Sequence, residues 1–261
     1  MNAAPVAYRM CSRCVMDTSD PAIEFDAQGR CNHCTSYDDQ IKLFVSTDAD
    51  RHERLDRLVR RIRAAGEGKQ YDCVVGLSGG VDSSYLAYYV VRELHLRPLA
   101  VHLDNGWNSN LAVSNIERIV RQLDIDLYTE VLDWEEFRDL QVSFLRASTP
   151  DSEIPTDHAI TAILMQQATR NRVKFILGGS NVRSEGIMPA AWSQGIRDLR
   201  YIAAVQKQFG SVELDSFPRF SILSFAYRKL RGQRWINLLD YIDYRKGDAV
   251  EILQRELGWE P

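Results

Sequence analysis

An α/β fold is predicted, with a parallel sheet carrying helices on both faces and a small four-cysteine, zinc-type module in front of it. Three observations predict it. From residue 71 onward, short apolar runs alternate with amphipathic helical stretches, and strands separated by helices pair in parallel through right-handed crossovers. Polar, glycine-bearing clusters fall directly after several of the predicted strands, which is where ligands sit in such sheets. Near the N-terminus, Cys11/Cys14 and Cys31/Cys34 make two C-x-x-C pairs.

Size and composition set the bounds. The chain has 261 residues, 45% hydrophobic and 26% charged, with a formal net charge of −4. That suffices for one large α/β domain with an appendage. No apolar run approaches the roughly 20 residues of a membrane span, and residues 1–10 lack the charged start and apolar core of a signal peptide. A cytoplasmic protein with reduced cysteines and no membrane partner is expected. The charge provides no global basic field, so nucleic acid is not expected as a partner.

The first element, residues 1–35, reads as the metal module. Each C-x-x-C pair can close a tight knuckle, and sixteen residues separate the pairs. Four thiolates, Cys11, Cys14, Cys31 and Cys34, suit tetrahedral Zn²⁺ with no open position, hence a structural metal; an iron–sulfur cluster suits four cysteines as well. His33 reads as a bystander inside the second knuckle. Residues 36–70 read as a linking helical segment. Leu55, Leu58, Val59 and Ile62 form its apolar stripe, and Arg51, Arg54, Arg57, Arg60, Arg61 and Arg63 line the rest. A solvated basic face is favoured there over a polyanion contact.

Residues 71–215 read as the main domain. Strands are expected at 72–77, 98–103, 126–131 and 173–177. Helices are expected at 83–95, 109–123, 134–146 and 157–171, with a loose, proline-bearing stretch at 148–156. Cys73 reads as a small buried apolar residue, and Asp157 either as a polar residue on the acceptor side or only as a helix N-cap. From residue 216 the pattern weakens into a C-terminal helical segment, 216–261. Its aromatics are interleaved with Arg228, Lys229, Arg231 and Arg234, and a short helix at 248–257 stops at Gly258.

The chemistry concentrates in Leu77-Ser78-Gly79-Gly80-Val81-Asp82-Ser83-Ser84, between the first strand and its helix. Successive backbone N–H groups and a helix N-terminus make an anion site there. Gly79 and Gly80 remove side chains where a phosphate must approach. Ser78, Ser83 and Ser84 offer hydroxyls, and Asp82 can hold a Mg²⁺ that bridges phosphate oxygens. The loop is not G-x-x-x-x-G-K-[ST], and it lacks G-x-G-x-x-G. His102 to Gly106, with His102 and Asp104 foremost, either line a nucleoside pocket or form an ordinary strand–helix turn. Gly178-Gly179-Ser180-Asn181 completes the third cluster.

The S-G-G-x-D-S loop resembles the PP-loop of the N-type ATP pyrophosphatases, which hold the pyrophosphate half of ATP and transfer AMP to a carbonyl oxygen. A four-cysteine module before such a loop is found in tRNA thiolation enzymes and in the N-acetyl sugar amidotransferases of O-antigen and related glycan biosynthesis. The start Cys11-Ser12-Arg13-Cys14-Val15-Met16-Asp17-Thr18-Ser19-Asp20-Pro21 is similar to the amidotransferases. So are Phe25-Asp26, Gly29 to Cys34, Gly179 to Gly186, Leu238 to Tyr244 and Glu256 to Trp259. The resemblance implies an enzyme that uses ATP and Mg²⁺ to adenylate the N-acetyl oxygen of a sugar carried on a nucleotide such as UDP. Ammonia then displaces AMP and leaves an acetamidino group. It implies a separate glutamine amidotransferase subunit as ammonia source, with a channelling subunit as a further partner. It places polar contacts in the loop after the fourth strand, where Glu185 is expected to orient Mg²⁺ or ammonia and Asn181 to donate to the pyrophosphate or the acetamido group. The family continues past the Gly-Trp segment, so 216–261 is expected to be incomplete relative to it. The alternatives are a tRNA-modifying thiolase, disfavoured because no cysteine follows Cys73, and a non-enzymatic scaffold, disfavoured by the intact loop.

Overall fold

The apolar run before the glycine loop becomes the middle strand of a five-stranded sheet. The structure is a computed structural model and describes residues 7–44, 48–187, 189, 192 and 195–261. After the cysteine-bearing turns of residues 7–31 come two helices, α1 (Asn32–Phe44) and α2 (Asp48–Gly66). The sheet region then runs β1 (Cys73–Gly76), α3 (Val81–Tyr88), β2 (Pro98–Asp104), α4 (Asn110–Leu123), β3 (Asp126–Val131), α5 (Trp134–Arg146), α6 (Ile154–Arg170) and β4 (Phe175–Gly178). There follow α7 (Val182–Glu185), α8 (Leu199–Phe209), α9 (Ile222–Leu230), β5 (Arg234–Asn237) and α10 (Lys246–Leu257).

The strand order is β3-β2-β1-β4-β5 and every pairing is parallel. From β1 the chain builds outward through β2 and β3, then returns to the other side of β1 for β4 and β5. The direction reverses between β1 and β4. A crevice opens beyond strand C-termini at such a switch point, and this one holds the glycine loop.

Strand alternation divides the core. Cys73 and Val75 face one layer, with Leu58 and Ile62 of α2, Leu86 of α3, Ile119 of α4 and Leu253 of α10. Val74 faces the other, with Ile163, Leu164 and Ala168 of α6 and Phe220. A satellite cluster joins Phe137, Leu140 and Phe144 of α5 to Ile202 of α8. In α2 the expected stripe, Leu55, Leu58, Val59 and Ile62, is buried in the first of these layers.

The structure departs from the sequence expectation in several places. The helix expected at 83–95 is α-helical only through Tyr88 and continues as a π turn, Tyr89–Glu93. Helix α6 starts at Ile154, inside the stretch expected as loop. Its Pro155 is tolerated because a first-turn N–H has no intrahelical partner to lose. Asp157 is therefore inside the first turn and is not the N-cap; Glu153 occupies that position without a side-chain bond. Strand β4 begins at Phe175 instead of residue 173. Finally, the 216–261 segment supplies β5 and α10. Strand β5 is four residues long and partly exposed at the sheet edge, so it carries no periodic signal.

Candidate functional site

The glycine loop is closed by its own serines. The Ser78 backbone N–H donates to Ser83 Oγ at 3.1 Å, the two hydroxyls lie 2.9 Å apart, and Ser83 Oγ donates to the Gly80 carbonyl at 3.2 Å. Gly80 is the N-cap of α3 and has no side chain with which to cap it. The N–H groups of the first turn, Val81 to Ser83, thus meet no capping side chain, and a helix leaves such donors for an external acceptor.

The two glycines do different jobs. Gly79 has φ +80°, and a Cβ there would lie 2.5 Å from the Ala112 carbonyl oxygen. It seats the loop against the start of α4; it does not clear space for a ligand, as the sequence had suggested. Gly80 has φ −74°, and its nearest obstacle is Ser78 Oγ at 3.5 Å. Gly179 lets the β4 loop approach α3, since a Cβ would sit 3.3 Å from the Asp82 carbonyl carbon and the Ser83 nitrogen.

Beyond the C-termini of β1, β2 and β4 lies a cavity of about 410 Å³ lined by Ser78, Asp82, Ser83, His102, Gly179 and Glu185, among others. Thr156, on the first turn of α6, also lines it, and its buried hydroxyl has no partner among the described residues. No lysine or arginine among the described residues lines the cavity. A phosphate there would be met by N–H groups, hydroxyls and a cation held by the carboxylates.

The carboxylates are arranged for that. Asp82 Oδ1 accepts a hydrogen bond from the buried Tyr244 hydroxyl, and burial followed by the Asp82 charge pushes the Tyr244 phenol well above its ordinary value. Glu185 is raised chiefly by desolvation; a hydrogen bond from Ser180 opposes this, and the charges of Asp82 and Asp240 add to it. Desolvation, then repulsion from Asp151, Glu153 and Glu185, raises the Asp157 carboxyl to about 6, although the side chain keeps substantial solvent contact. Carboxylates that repel one another beside an anion cradle fit a hard, oxygen-liganded dication. Asp82 and Glu185 are the residues that could hold Mg²⁺.

Other predicted residues fall around this centre. The Leu77 carbonyl can only accept, so His102 Nδ1 donates to it at 2.9 Å and Nε2 accepts from Asn108 Nδ2 at 3.1 Å. Asp104 is not a wall of the cavity. Its Oδ1 accepts from the Gly106 N–H and from Asn108 Nδ2, both at 3.0 Å, and so builds the turn that places Asn105 and Asn108 in the wall. Asn181 is buried and caps α7, its Oδ1 accepting from the Ser184 N–H at 3.0 Å, while its Nδ2 has no partner among the described residues. The Val81 side chain is in the core, leaving only its backbone for a ligand, and Ser84 is buried outside the cavity wall, its hydroxyl without a partner among the described residues.

Besides Thr156 and Asn108, further contributors were not singled out from sequence. Trp235 of β5 lines the cavity and lies over Gly178, where a Cβ would come within 2.9 Å of the indole nitrogen. Tyr244 holds Asp82, and Trp259 holds the loop through Gly79. Tyr244 and Trp259 fall inside segments recognisable by resemblance, but nothing local marks what they touch.

The cysteines converge. The Sγ atoms of Cys11, Cys14, Cys31 and Cys34 all lie within 4.8 Å of one another, with Cys11–Cys34 at 3.9 Å and Cys14–Cys31 at 3.7 Å. Tetrahedral zinc with Zn–S bonds of about 2.3 Å spaces its sulfurs by about 3.8 Å, so the cluster fits the ion. Burial raises the Cys11 thiol, but N–H donors from Arg13, Cys14 and Cys31 outweigh it and bring the group down to about 6. His33 points elsewhere, its Nε2 donating to Asp20 at 2.6 Å. The module leans on the cavity rim: Tyr37 donates to the Arg183 carbonyl at 2.9 Å, and Ile187 packs on the cysteine cluster. Cys73 is fully buried and its thiol is pushed up by that burial.

Comparison with known proteins adds little to this geometry. No family model matches the chain, and no curated protein matches it. Among solved structures, it is similar to an NH3-dependent NAD synthetase from Campylobacter jejuni subsp. jejuni NCTC 11168, at 14% identity and TM-score 0.38 over 80% of this chain and 93% of the other. It is also similar to an NMN synthetase from Francisella tularensis, at 15% identity and TM-score 0.37 over 79% of this chain and 87% of the other. Likeness at that level carries no functional argument, and the reading of the site rests on the chain's own residues.

Proposed function

We propose that this chain is the ATP-using subunit of an amidotransferase, one that converts the N-acetyl group of a nucleotide-linked sugar into an acetamidine. The observation that carries the ATP-using part is the serine-closed glycine loop at the switch point, with uncapped first-turn N–H groups, facing a cavity that holds Asp82 and Glu185. The sugar, and ammonia delivered by a partner glutaminase, rest on the sequence resemblance.

The chemistry follows from what an amide lacks. Its oxygen is a very poor leaving group. Attack of the amide oxygen on the α-phosphorus of ATP releases pyrophosphate and leaves an O-adenylyl imidate. Ammonia adds to the imidate carbon, a proton is lost, and AMP departs with the former amide oxygen. The loop's part is to fix the pyrophosphate so that the α-phosphorus faces the acceptor, since positioning and charge neutralisation supply most of the rate in such transfers. The hydroxyls of Ser78 and Ser83 and the N–H groups of Val81 to Ser83 would make those contacts. Mg²⁺ held by Asp82 and Glu185 would offset charge on the leaving pyrophosphate. Zinc in the four-cysteine cluster would be structural, because four thiolates leave no open position.

The test combines the protein with MgATP, ammonium and a panel of UDP-N-acetyl sugars. Pyrophosphate release with product lighter by about one mass unit, oxygen replaced by NH, is expected from amide activation. ATP-dependent pyrophosphate release with no amidine from any sugar would keep the loop assignment and discard the acceptor. No ATP turnover with any acceptor would discard both.

A further inference from the structure

Nine of the chain's lysines and arginines, and none of its aspartates or glutamates, lie in residues 158–184 and 216–239. In a protein of net charge −4, that is a sharp local reversal. The fold brings these two stretches side by side, because β4 pairs with β5 and α9 packs over α6 through Phe225.

Some of these cations have intramolecular work. Arg228 donates to the Met165 carbonyl and to Thr169, and Arg234 donates to the carbonyls of Lys229 and Gln233. Both reach carbonyls near helix C-termini, a bland and sufficient role. Arg172, Lys174 and Lys229 show no such side-chain bond among the described residues, and Arg231 engages only its neighbour Tyr227, donating to its hydroxyl at 3.2 Å and lying over its ring. All are exposed, and among the described residues none forms an ion pair. Arg172, Lys174, Arg228 and Arg231 surround a concavity of about 410 Å³, distinct from the glycine-loop cavity.

Beside this concavity, α9 turns an apolar face outward. Leu223, Tyr227 and Leu230 follow one another at helical spacing and are 82%, 59% and 87% exposed. Tyr227 forms part of the wall of the concavity, while Leu223 and Leu230 project singly into solvent. Projecting leucines beside unpaired cations are the composition of a surface that meets an anionic bilayer, where the apolar groups enter the acyl boundary and the cations meet phosphates. Nucleic acid would use the cations but has no place for the leucines. No described helix is long and apolar enough to cross a membrane, so the mode is attachment at the surface.

We propose that α9 and the adjoining basic concavity form a docking surface for anionic phospholipid, with Leu223 and Leu230 inserted and Arg172, Lys174 and Arg231 at the phosphates. The proposal does not depend on the reaction assigned to the glycine loop, and its test does not read activity.

The test is co-sedimentation of the full chain with vesicles of phosphatidylcholine alone and with roughly a third phosphatidylglycerol. At least tenfold stronger binding to the anionic vesicles is expected, falling several-fold between about 0.1 M and about 0.5 M NaCl. Leu223→Ser/Leu230→Ser and Arg172→Glu/Arg231→Glu should each weaken it at least tenfold. All four side chains are exposed, so circular dichroism and thermal melting should match the parent. No binding to anionic vesicles at millimolar lipid would overturn the proposal. So would binding that the serine pair leaves unchanged, or tight binding to a single-stranded RNA homopolymer lost in the arginine variant with no vesicle binding in the parent.

Discussion

The indole N–H of Trp259 donates to the carbonyl of Gly79 at 2.9 Å, joining residues 180 apart in sequence. Around it, Asn115 exchanges two hydrogen bonds with the Glu260 backbone, and Arg118 reaches the Gly258 carbonyl and the Glu260 carboxylate. Residues 258–260 are thus clasped to α4 and to the underside of the glycine loop. Trp259→Phe keeps most of the packing and leaves the buried Gly79 carbonyl unpaired, which costs about 1–3 kcal/mol. A lower melting temperature and several-fold weaker ATP binding by calorimetry are expected. An unchanged affinity would show that the loop does not depend on the clasp.

A second contact from the same part of the chain reaches the carboxylate. Tyr244→Phe removes the hydrogen bond to Asp82 while leaving the ring in its buried place. If Tyr244 orients Asp82 for a cation, the Mg²⁺ concentration that half-saturates pyrophosphate release should rise several-fold, with smaller change at saturating Mg²⁺. Asp82→Asn, which removes the charge itself, should lower release by about a hundredfold or more, as loss of a key electrostatic group does. Equal Mg²⁺ dependence in parent and Tyr244→Phe would leave the tyrosine a purely structural role.

Gly79 and Gly80 should separate in stability. Gly79→Ala forces a left-handed residue and a Cβ at 2.5 Å from a backbone oxygen that cannot swing aside. A loss of more than about 2 kcal/mol is expected from strain of that kind. Gly80→Ala, with φ −74° and its nearest obstacle at 3.5 Å, should melt within a few degrees of the parent. Denaturant unfolding of the two variants checks the order.

The acid cluster around Asp157 predicts a pH dependence. A carboxyl whose folded pKa is raised holds its proton more tightly when folded, so stability falls as pH rises from the unfolded value toward the folded one. For Asp157, raised to about 6, the penalty is absent near pH 3, grows between about pH 4 and 6, and is constant above. Asp157→Asn removes it. The melting temperature of the variant relative to the parent should therefore climb across that window and then level off. A difference that stays flat with pH would mean that neither burial nor the charges of Asp151, Glu153 and Glu185 raise the Asp157 carboxyl.

What sequence could and could not show follows the distance over which each signal acts. The strand, loop and helix around Asp82 were legible because their chemistry is contiguous, and the cysteine cluster was legible because ligand spacing encodes it. Strand β5 was hidden by being short and exposed on an edge. The separate duties of Gly79 and Gly80 were hidden because Ala112, which sets one of them, comes from another helix. For Asp104 and Asn181, position alone could not show the turn-building and capping bonds they make, and the Asn181 Nδ2 that was expected to donate has no partner among the described residues. Tyr244 and Trp259 could not be assigned, since long-range partners leave no local pattern.

The metal module gives the last prediction. Its sulfurs already stand at the spacing of a tetrahedral zinc site, and its helix α1 reaches the carbonyl of Arg183 in α7, two residues before Glu185. About one zinc per chain is expected by elemental analysis, and Cys14→Ser or Cys31→Ser should release it, since metal binding and folding are coupled in such modules. Loss of metal should also be felt across the Tyr37–Arg183 contact, as faster amide hydrogen exchange in residues 182–187 with α3 and β1 unchanged. Tyr37→Phe keeps the metal and removes only that contact. If zinc release speeds exchange in 182–187 and Tyr37→Phe does so in part, the module buttresses the Glu185 loop. If exchange there is the same with and without metal, the two parts are independent and the cluster stabilises only its own knuckles.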